Sequence, residues 1–428
     1  MNSTRTGAVR RVFRWRNFRL FYGGQLISLV GTWMQAVAQD WLVLEMTNDP
    51  VALGAVAAAQ FLPVMVLGLF GGIAADALPK RLGLLCTQGA ACLLALVLGL
   101  LVLGGHVEVW QVMAMAFCLG IVNAFDMPIR QSFVVEMVGR EDIASAVALN
   151  SAAFNGARVI GPAVAGLLIG VIGIGPVFLL NSASYLVVIA GYLLMDVRQL
   201  QTPVRRQLER SFRGIADSLV EGLRYVRATP IVLLCVSLIG VVSLFALNVP
   251  VFGPLVAREV LGGGAETYGF LMAAAGAGSL VSALMLAFGG RVTLGRVFLG
   301  GTLAGVGVLG AGFSSVLPLS MVLLAIVGWS TVAIGATSNT IIQLTVPDAL
   351  RGRVMSVYTT VFAGATPIGS LLMGSLASRA GVTATMALAG IITVVFTGLA
   401  AVWAIRRQHL PLSTPPTVPA QVADPGRS

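Results

Sequence analysis

The chain has 428 residues, 57% hydrophobic and only 10% charged, with 27 basic against 17 acidic residues and a net charge of +10. A soluble domain carries about 25% charged residues, so most of this chain must meet lipid or other helices, which excludes a soluble globular protein. The basic residues fall between apolar runs and not on one face, so their excess reports membrane orientation and argues against a nucleic-acid partner.

Apolar runs long enough to cross a hydrocarbon core of about 30 Å recur from Phe18 to Ile405. They predict an all-α polytopic membrane protein with twelve transmembrane helices, at 17–45, 51–75, 82–104, 109–136, 142–172, 174–195, 229–257, 265–289, 294–314, 316–345, 351–378 and 384–405. The opening stretch, with Ala36-Val37-Ala38 before Gln39, has the look of a signal peptide. Its apolar part outruns the usual 7 to about 15 residues of such a segment, and it is read as span 1. The predicted organisation is a basic lead at 1–16, a six-helix bundle at 17–195, a linker at 196–228, a second bundle at 229–407 and a tail at 408–428. The linker holds a candidate interfacial helix through Phe212, Ile215, Leu219 and Leu223, and the proline-rich tail reads as disordered. Of the 27 lysines and arginines, only Arg258 and Arg379 fall on the side opposite the termini, and Arg158 falls within the membrane. Both termini and the linker are therefore expected in the cytoplasm.

Span 1 carries Gln25, Ser28, Thr32, Gln35 and Gln39 at spacings of 3, 4, 3 and 4, one stripe of hydrogen-bonding groups on a helix. Such a stripe is costly against lipid, so it lines a cavity or faces another helix. Asp40 follows it and is a candidate proton carrier or a solvated helix-end residue. Burial raises a carboxylate's pKa and a nearby cation lowers it, so an acid that alternates between two surroundings can couple to a proton. The 2–3 loop keeps Gly72, Asp76, Lys80 and Arg81, a candidate gate or a simple basic turn: Gly72 would allow close helix approach, and the cations would bridge to acidic partners across the interface between the halves. Asp126 and Arg130 in span 4 stand at i, i+4. They form an ion pair, a gate element with Asp76, or part of a proton route.

Span 5 reads Asn155-Gly156-Ala157-Arg158-Val159-Ile160-Gly161-Pro162-Ala163-Val164-Ala165-Gly166. A central arginine costs about +2.5 to +3.5 kcal/mol on insertion scales. It contacts substrate or a coupling proton, pairs with backbone carbonyls, or counters an acid. Proline removes a backbone donor and bends the helix, and small residues let a neighbour pack closely. Ser151, Asn155 and Arg158 share one stripe, and Thr359, Thr366 and Ser370 form another on span 11, so spans 1, 5 and 11 are expected to line one polar chamber. Phe154 and Phe362 are candidate apolar contacts there. Shifting the sequence by 208 pairs Gly120 with Gly328, Val138 with Val346, Phe154 with Phe362, Gly156 with Gly364 and Gly166 with Gly374, which predicts duplicated halves with a site at their interface. Arg158 pairs with Thr366, so one half alone keeps the charge.

The 2–3 loop resembles the Gly-x-x-x-Asp-Arg-x-Gly-Arg-Arg signature of the major facilitator superfamily, departing at Ala77 and Pro79. Gly161, Pro162 and Gly166 are similar to the Gly-Pro-x-x-Gly-Gly element of its drug/proton antiporters, with Ala165 in place of one glycine. Trp15–Leu20, Ala38–Glu45, Asp126–Gln131 and Ala146–Ser151 resemble the branch that includes the bacterial enterobactin exporter and macrolide and tetracycline efflux pumps. The resemblance implies a monomeric, proton-coupled exporter of a small organic molecule in the bacterial cytoplasmic membrane, with Gly72, Asp76, Lys80, Arg81 and Arg130 as a cytoplasmic gate. A nutrient importer would be expected to hold more fixed polar ligands. A membrane enzyme lacks a catalytic constellation, since His106 and His409 are the only histidines and neither has an acidic pair beside it. The cysteines Cys86, Cys92, Cys118 and Cys235 sit in apolar runs without metal-ligand spacing, so neither a metal nor a cofactor is expected. No phosphate-binding Gly-x-x-x-x-Gly-Lys-Ser/Thr loop occurs, which disfavours an ATPase.

Overall fold

The computed structural model describes residues 11–139, 141–201, 212–289 and 291–408. The first ten residues, Arg140, Gly290, the middle of the linker and the tail beyond Gln408 lie outside the described residues, as do the side chains of Asp76, Phe212, Ile215 and Leu219. The described backbone is mostly helical, joined by short turns, and contains no strand.

The first half is α1 (Arg16–Thr47), α2 (Pro50–Ala77), α3 (Lys80–Leu103), α4 (Val109–Met137), α5 (Ile143–Ile172) and α6 (Ile174–Leu193). The linker contributes α7 (Phe212–Ala228). The second half is α8 (Pro230–Phe245), α9 (Val249–Leu255), α10 (Ala265–Ala287), α11 (Leu294–Phe313), α12 (Leu317–Thr345), α13 (Asp348–Ala380) and α14 (Val382–Gln408). Eleven candidate spans pass on length and apolar composition. The twelfth crossing is α1, whose polar stripe dilutes its hydropathy.

Local chemistry sets the turns. Asn48 takes the left-handed conformation at φ 49°, and the Asp49 side chain accepts from the Val51 N–H, with Pro50 at the start of α2. Span 7 differs from the single helix expected. It breaks after Phe245 at Ala246–Asn248, resumes as α9, and ends in a π-helical turn at Val256–Val260. Pro250 and Pro254 remove backbone donors from this stretch, which accounts for the interruption.

Because the helices alternate, the N-terminal segment, the α2–α3 connection and the linker gather at one end, the basic end. The α1–α2 and α9–α10 connections lie at the far end. The repeat predicted at an offset of 208 reappears as geometry. A β-carbon added at Gly166 on α5 would lie 3.1 Å from the Gly269 Cα on α10, and one at Gly374 on α13 would lie 3.2 Å from the Gly54 Cα on α2. Two pseudo-equivalent small-residue seams, α5 on α10 and α2 on α13, thus join the halves. A continuous apolar cluster follows them, including Trp41, Leu53 and Ala165 from the first half and Tyr268, Met373 and Ala377 from the second. At the basic end Phe18, Phe21, Phe133 and Tyr192 form a cluster belonging to the first half alone.

The polar contacts follow the same division. The Tyr268 hydroxyl donates to Asp40 and the Arg258 guanidinium donates to the Leu44 carbonyl, both joining the halves at the far end. The basic-end ion pairs Lys80–Glu136, Arg351–Asp348 and Arg353–Glu221 each stay on their own side of the molecule, the last tying α7 to α13. The halves are closed together at the far end.

Candidate functional site

A cavity of about 280 Å³ opens within the first half and is roofed by Pro250 and Met272 of the second. Its wall comes mainly from α1, α2 and α4. The stripe on α1 supplies Ser28, Thr32, Gln35 and Gln39, with Asp40 above them. Helix α2 adds Gln60 and Phe61, α4 adds Asn123, Asp126 and Arg130, and Trp33, Phe154 and Tyr185 provide aromatic surface. Gln25 lies one layer back from the cavity.

The polar groups form two separate networks. In the lower one the Asp126 carboxylate accepts from Thr87 at 2.7 Å and Gln88 at 2.8 Å and pairs with Arg130 at 3.3 Å. Arg130 also donates to Gln25 at 2.9 Å, and Gln25 donates to the Tyr192 hydroxyl at 3.3 Å. Every charge in this network is met by a neighbour, as burial requires. Higher up, Asn181 donates to Gln35 at 2.6 Å and Gln39 to Gln60 at 2.9 Å. At the top stands Asp40, whose one side-chain hydrogen bond among the described residues comes from Tyr268 at 2.7 Å. The fifteen steps from Gln25 to Asp40 span about 22 Å of helix at 1.5 Å per residue, so the stripe runs most of the depth of a bilayer.

The chamber is not the one expected from spans 1, 5 and 11. Of the residues proposed on α5, only Phe154 lines the cavity, and neither Phe362 nor Thr366 of α13 does so. The reason is that α5 and α13 serve as the seams between the halves. Their polar groups are also partly spent locally: Asn155 donates to the Ser151 carbonyl, Thr359 to the Met355 carbonyl, and Ser370 to Asn248. Arg158 is half-buried, with its guanidinium 5.5 Å from the centre of the Trp33 ring and no carboxylate partner among the described residues. Trp33 in turn meets Phe154 edge-on at 5.8 Å. Gly161 packs on Val30 and Trp33 of α1, Gly166 on α10, and the Pro162 carbonyl against Gly269, so that motif joins three helices.

The loop motif also differs from expectation. The close helix approach is made by Gly71, against Ala124 and Pro128 of α4, while a β-carbon at Gly72 would meet nothing within 4 Å. Lys80 pairs with Glu136, and Arg81 donates to the Tyr192 and Leu193 carbonyls at 2.7 and 3.0 Å. Both cations are thus held inside the first half, where bridges across the halves had been expected. The Asp76 side chain is outside the described residues.

Gln60, Tyr185 and Tyr268 escaped the sequence reading. Gln60 had a usable signal, being the lone amide in an otherwise apolar stretch of span 2. Tyr268 had none, since its partner is 228 positions away.

A family model described as Transmembrane secretion effector matches residues 11–415. The multidrug efflux pump Tap of Mycolicibacterium fortuitum is 29% identical over 404 residues, covering 91% of this chain and 96% of that protein. The staphyloferrin A transporter of Staphylococcus aureus is 24% identical over 387 residues, covering 89% and 94%. The enterobactin exporter EntS of Shigella boydii is 26% identical over 369 residues, covering 84% and 85%. Among solved structures, a POT family transporter in complex with a thioalcohol-conjugated peptide superposes with a TM-score of 0.72 at 14% identity, over 91% of this chain and 96% of that one. That last likeness speaks for the fold alone.

Proposed function

The chain belongs to the transmembrane secretion effector family of major facilitator transporters, and on that premise we propose that it exports a small organic molecule from the bacterial cytoplasm in exchange for protons. It is a transporter and not an enzyme. Taking the basic end as cytoplasmic, as the arginine distribution predicts, the far end that Tyr268–Asp40 and Arg258–Leu44 hold shut is the outward face, and the cavity serves the inward one. The observation that carries the proposal is the cavity itself: amides and hydroxyls along α1, aromatic rings beside them, and a carboxylate at the closed end. Such a lining suits a largely apolar molecule with a few hydrogen-bonding groups, in keeping with the drug and siderophore relatives.

Asp40 is the proposed proton carrier. Asp126 accepts from two side chains and pairs with a guanidinium, a fixed arrangement suited to holding α3 and α4 together. Asp40 has a single side-chain donor among the described residues, and that donor belongs to the other half. In the outward-open state Asp40 takes a proton; rocking of the halves along the α5–α10 and α2–α13 seams turns it inward, and the proton leaves through the cavity. Substrate then enters and is carried out on the return. A monomer suffices, because the cavity is built within one chain.

Everted membrane vesicles energised by respiration test this. Uptake of a labelled lipophilic drug that collapses with nigericin and fails in Asp40→Asn supports the proposal. Uptake indifferent to the gradient, or energised movement in the opposite direction, overturns it.

A further inference from the structure

Tyr268 sits in the second turn of α10 and is fully buried at the closed far end. Its ring stacks on Trp41 at 6.4 Å and lies against Gly253 of α9, where an added β-carbon would come within 2.6 Å of Cε2. Glycine at 253 is therefore required for the ring to occupy this place. The ring is seated by both halves, and its hydroxyl donates to Asp40 across them. A buried phenol needs a polar partner, and this one exists only while the far end is closed.

Resting on Asp40 as the proton carrier, we infer that Tyr268 is the lock that keeps the empty, deprotonated carrier facing inward. An antiporter must let the proton-loaded and substrate-loaded forms turn while forbidding the empty one to do so, because a return of the empty form lets protons run in without work. A hydrogen bond to an ionised carboxylate is roughly twice as strong as one between neutral groups. The Tyr268–Asp40 bond is therefore strongest in the one form that must not turn. Protonating Asp40 removes the charge and weakens the bond. Substrate reaching the top of the cavity, where Gln39 and Asp40 line the wall, displaces the hydroxyl and frees the halves. Tyr268 acts through Asp40 and so is a positioning residue.

Among the described residues no other charged group is bonded to Asp40. Arg258 donates to the Leu44 carbonyl, one turn beyond Asp40, and contributes to closure regardless of the proton. Arg158 lies over Trp33, about two turns toward the basic end, and Arg130 is paired with Asp126. Glu266 stands exposed in the first turn of α10.

Tyr268→Phe keeps the ring, the Trp41 stack and the fit against Gly253, and removes only the hydroxyl. The variant is reconstituted in proteoliposomes with an imposed pH gradient, internal pH is followed, and Asp40→Asn is run in parallel. Tryptophan fluorescence and drug binding establish that each variant is folded. The lock predicts a substrate-independent proton leak in Tyr268→Phe about tenfold or more above wild type, the factor expected for a lost hydrogen bond to a charged group. Gradient-driven drug accumulation falls, while drug exchange without a gradient persists. Asp40→Asn shows no leak. A Tyr268→Phe protein as tight to protons as wild type overturns the lock alone, provided Asp40→Asn is uncoupled. Coupling that survives in Asp40→Asn overturns the proton carrier on which the lock rests.

Discussion

Gly166→Ala is the sharpest test of how the halves close. A β-carbon at this position would lie 2.8 Å from the Ala265 carbonyl oxygen, 2.9 Å from the Glu266 Cα and 3.1 Å from the Gly269 Cα. Comfortable carbon–carbon separations are about 3.5–4.0 Å, so roughly half an ångström is missing at the carbon contacts, and the obstructing atoms are backbone that cannot rotate away. Overpacking of this kind costs about 1–3 kcal/mol. On the proposed rocking of the halves the seam parts when the far end opens, so the cost falls on the far-closed state alone and corresponds to a shift of about 5- to 150-fold in the ratio of the two states. Gly156→Ala, on the same helix with nothing within 4 Å, has the same gain in helix propensity and no clash. The readout is the distance distribution between spin labels at Glu45 and Glu259, exposed residues of the two halves near the far end. Gly166→Ala should move population to longer distances and Gly156→Ala should leave it unchanged. Identical distributions in the two variants would refute the seam.

Three further substitutions probe the site and its frame. Gly71→Val should lower the yield and thermal stability of purified protein, because its side chain would meet Ala124 and Pro128, while Gly72→Ala should be tolerated; equal losses would contradict the assignment of the close contact to Gly71. Asp126→Ala should destabilise by about 1–3 kcal/mol by leaving Thr87, Gln88 and Arg130 without their common acceptor, whereas Asp126→Asn keeps an acceptor and loses less, as followed by chemical denaturation. Trp33→Ala should weaken binding of aromatic drugs roughly 3- to 10-fold, in line with about 0.5–1.5 kcal/mol for an aromatic pair, with Trp33→Phe largely restoring it in fluorescence titrations.

What the sequence revealed follows periodicity and composition. Twelve crossings and their halves were legible because each helix has to be apolar over a bilayer's depth; the seventh is one span by length and composition, and what the sequence did not show is its interruption at Ala246–Asn248, just before Pro250. The stripe from Gln25 to Gln39 was legible because a 3.6-residue period gathers it on one face, and the structure places four of its five members on the cavity wall. The partner helices were not. Polar residues on α5 and α13 have the same spacing, yet those helices spend their small residues on the seams, and spacing cannot tell a cavity wall from a seam. Gly71 and Gly72 are indistinguishable as letters; the register of α2 against α4 decides between them. Tyr268 was invisible because its significance depends on a contact between halves.

Proton movement on addition of substrate tests export by exchange most directly. Purified protein in proteoliposomes, with a pH-sensitive dye inside, receives a panel of lipophilic drugs and a catecholate siderophore, for wild type and Asp40→Asn. Antiport at Asp40 predicts a substrate-triggered change in internal pH in wild type, saturating with substrate and absent from the variant. Substrate movement with no accompanying proton flux in wild type would contradict it.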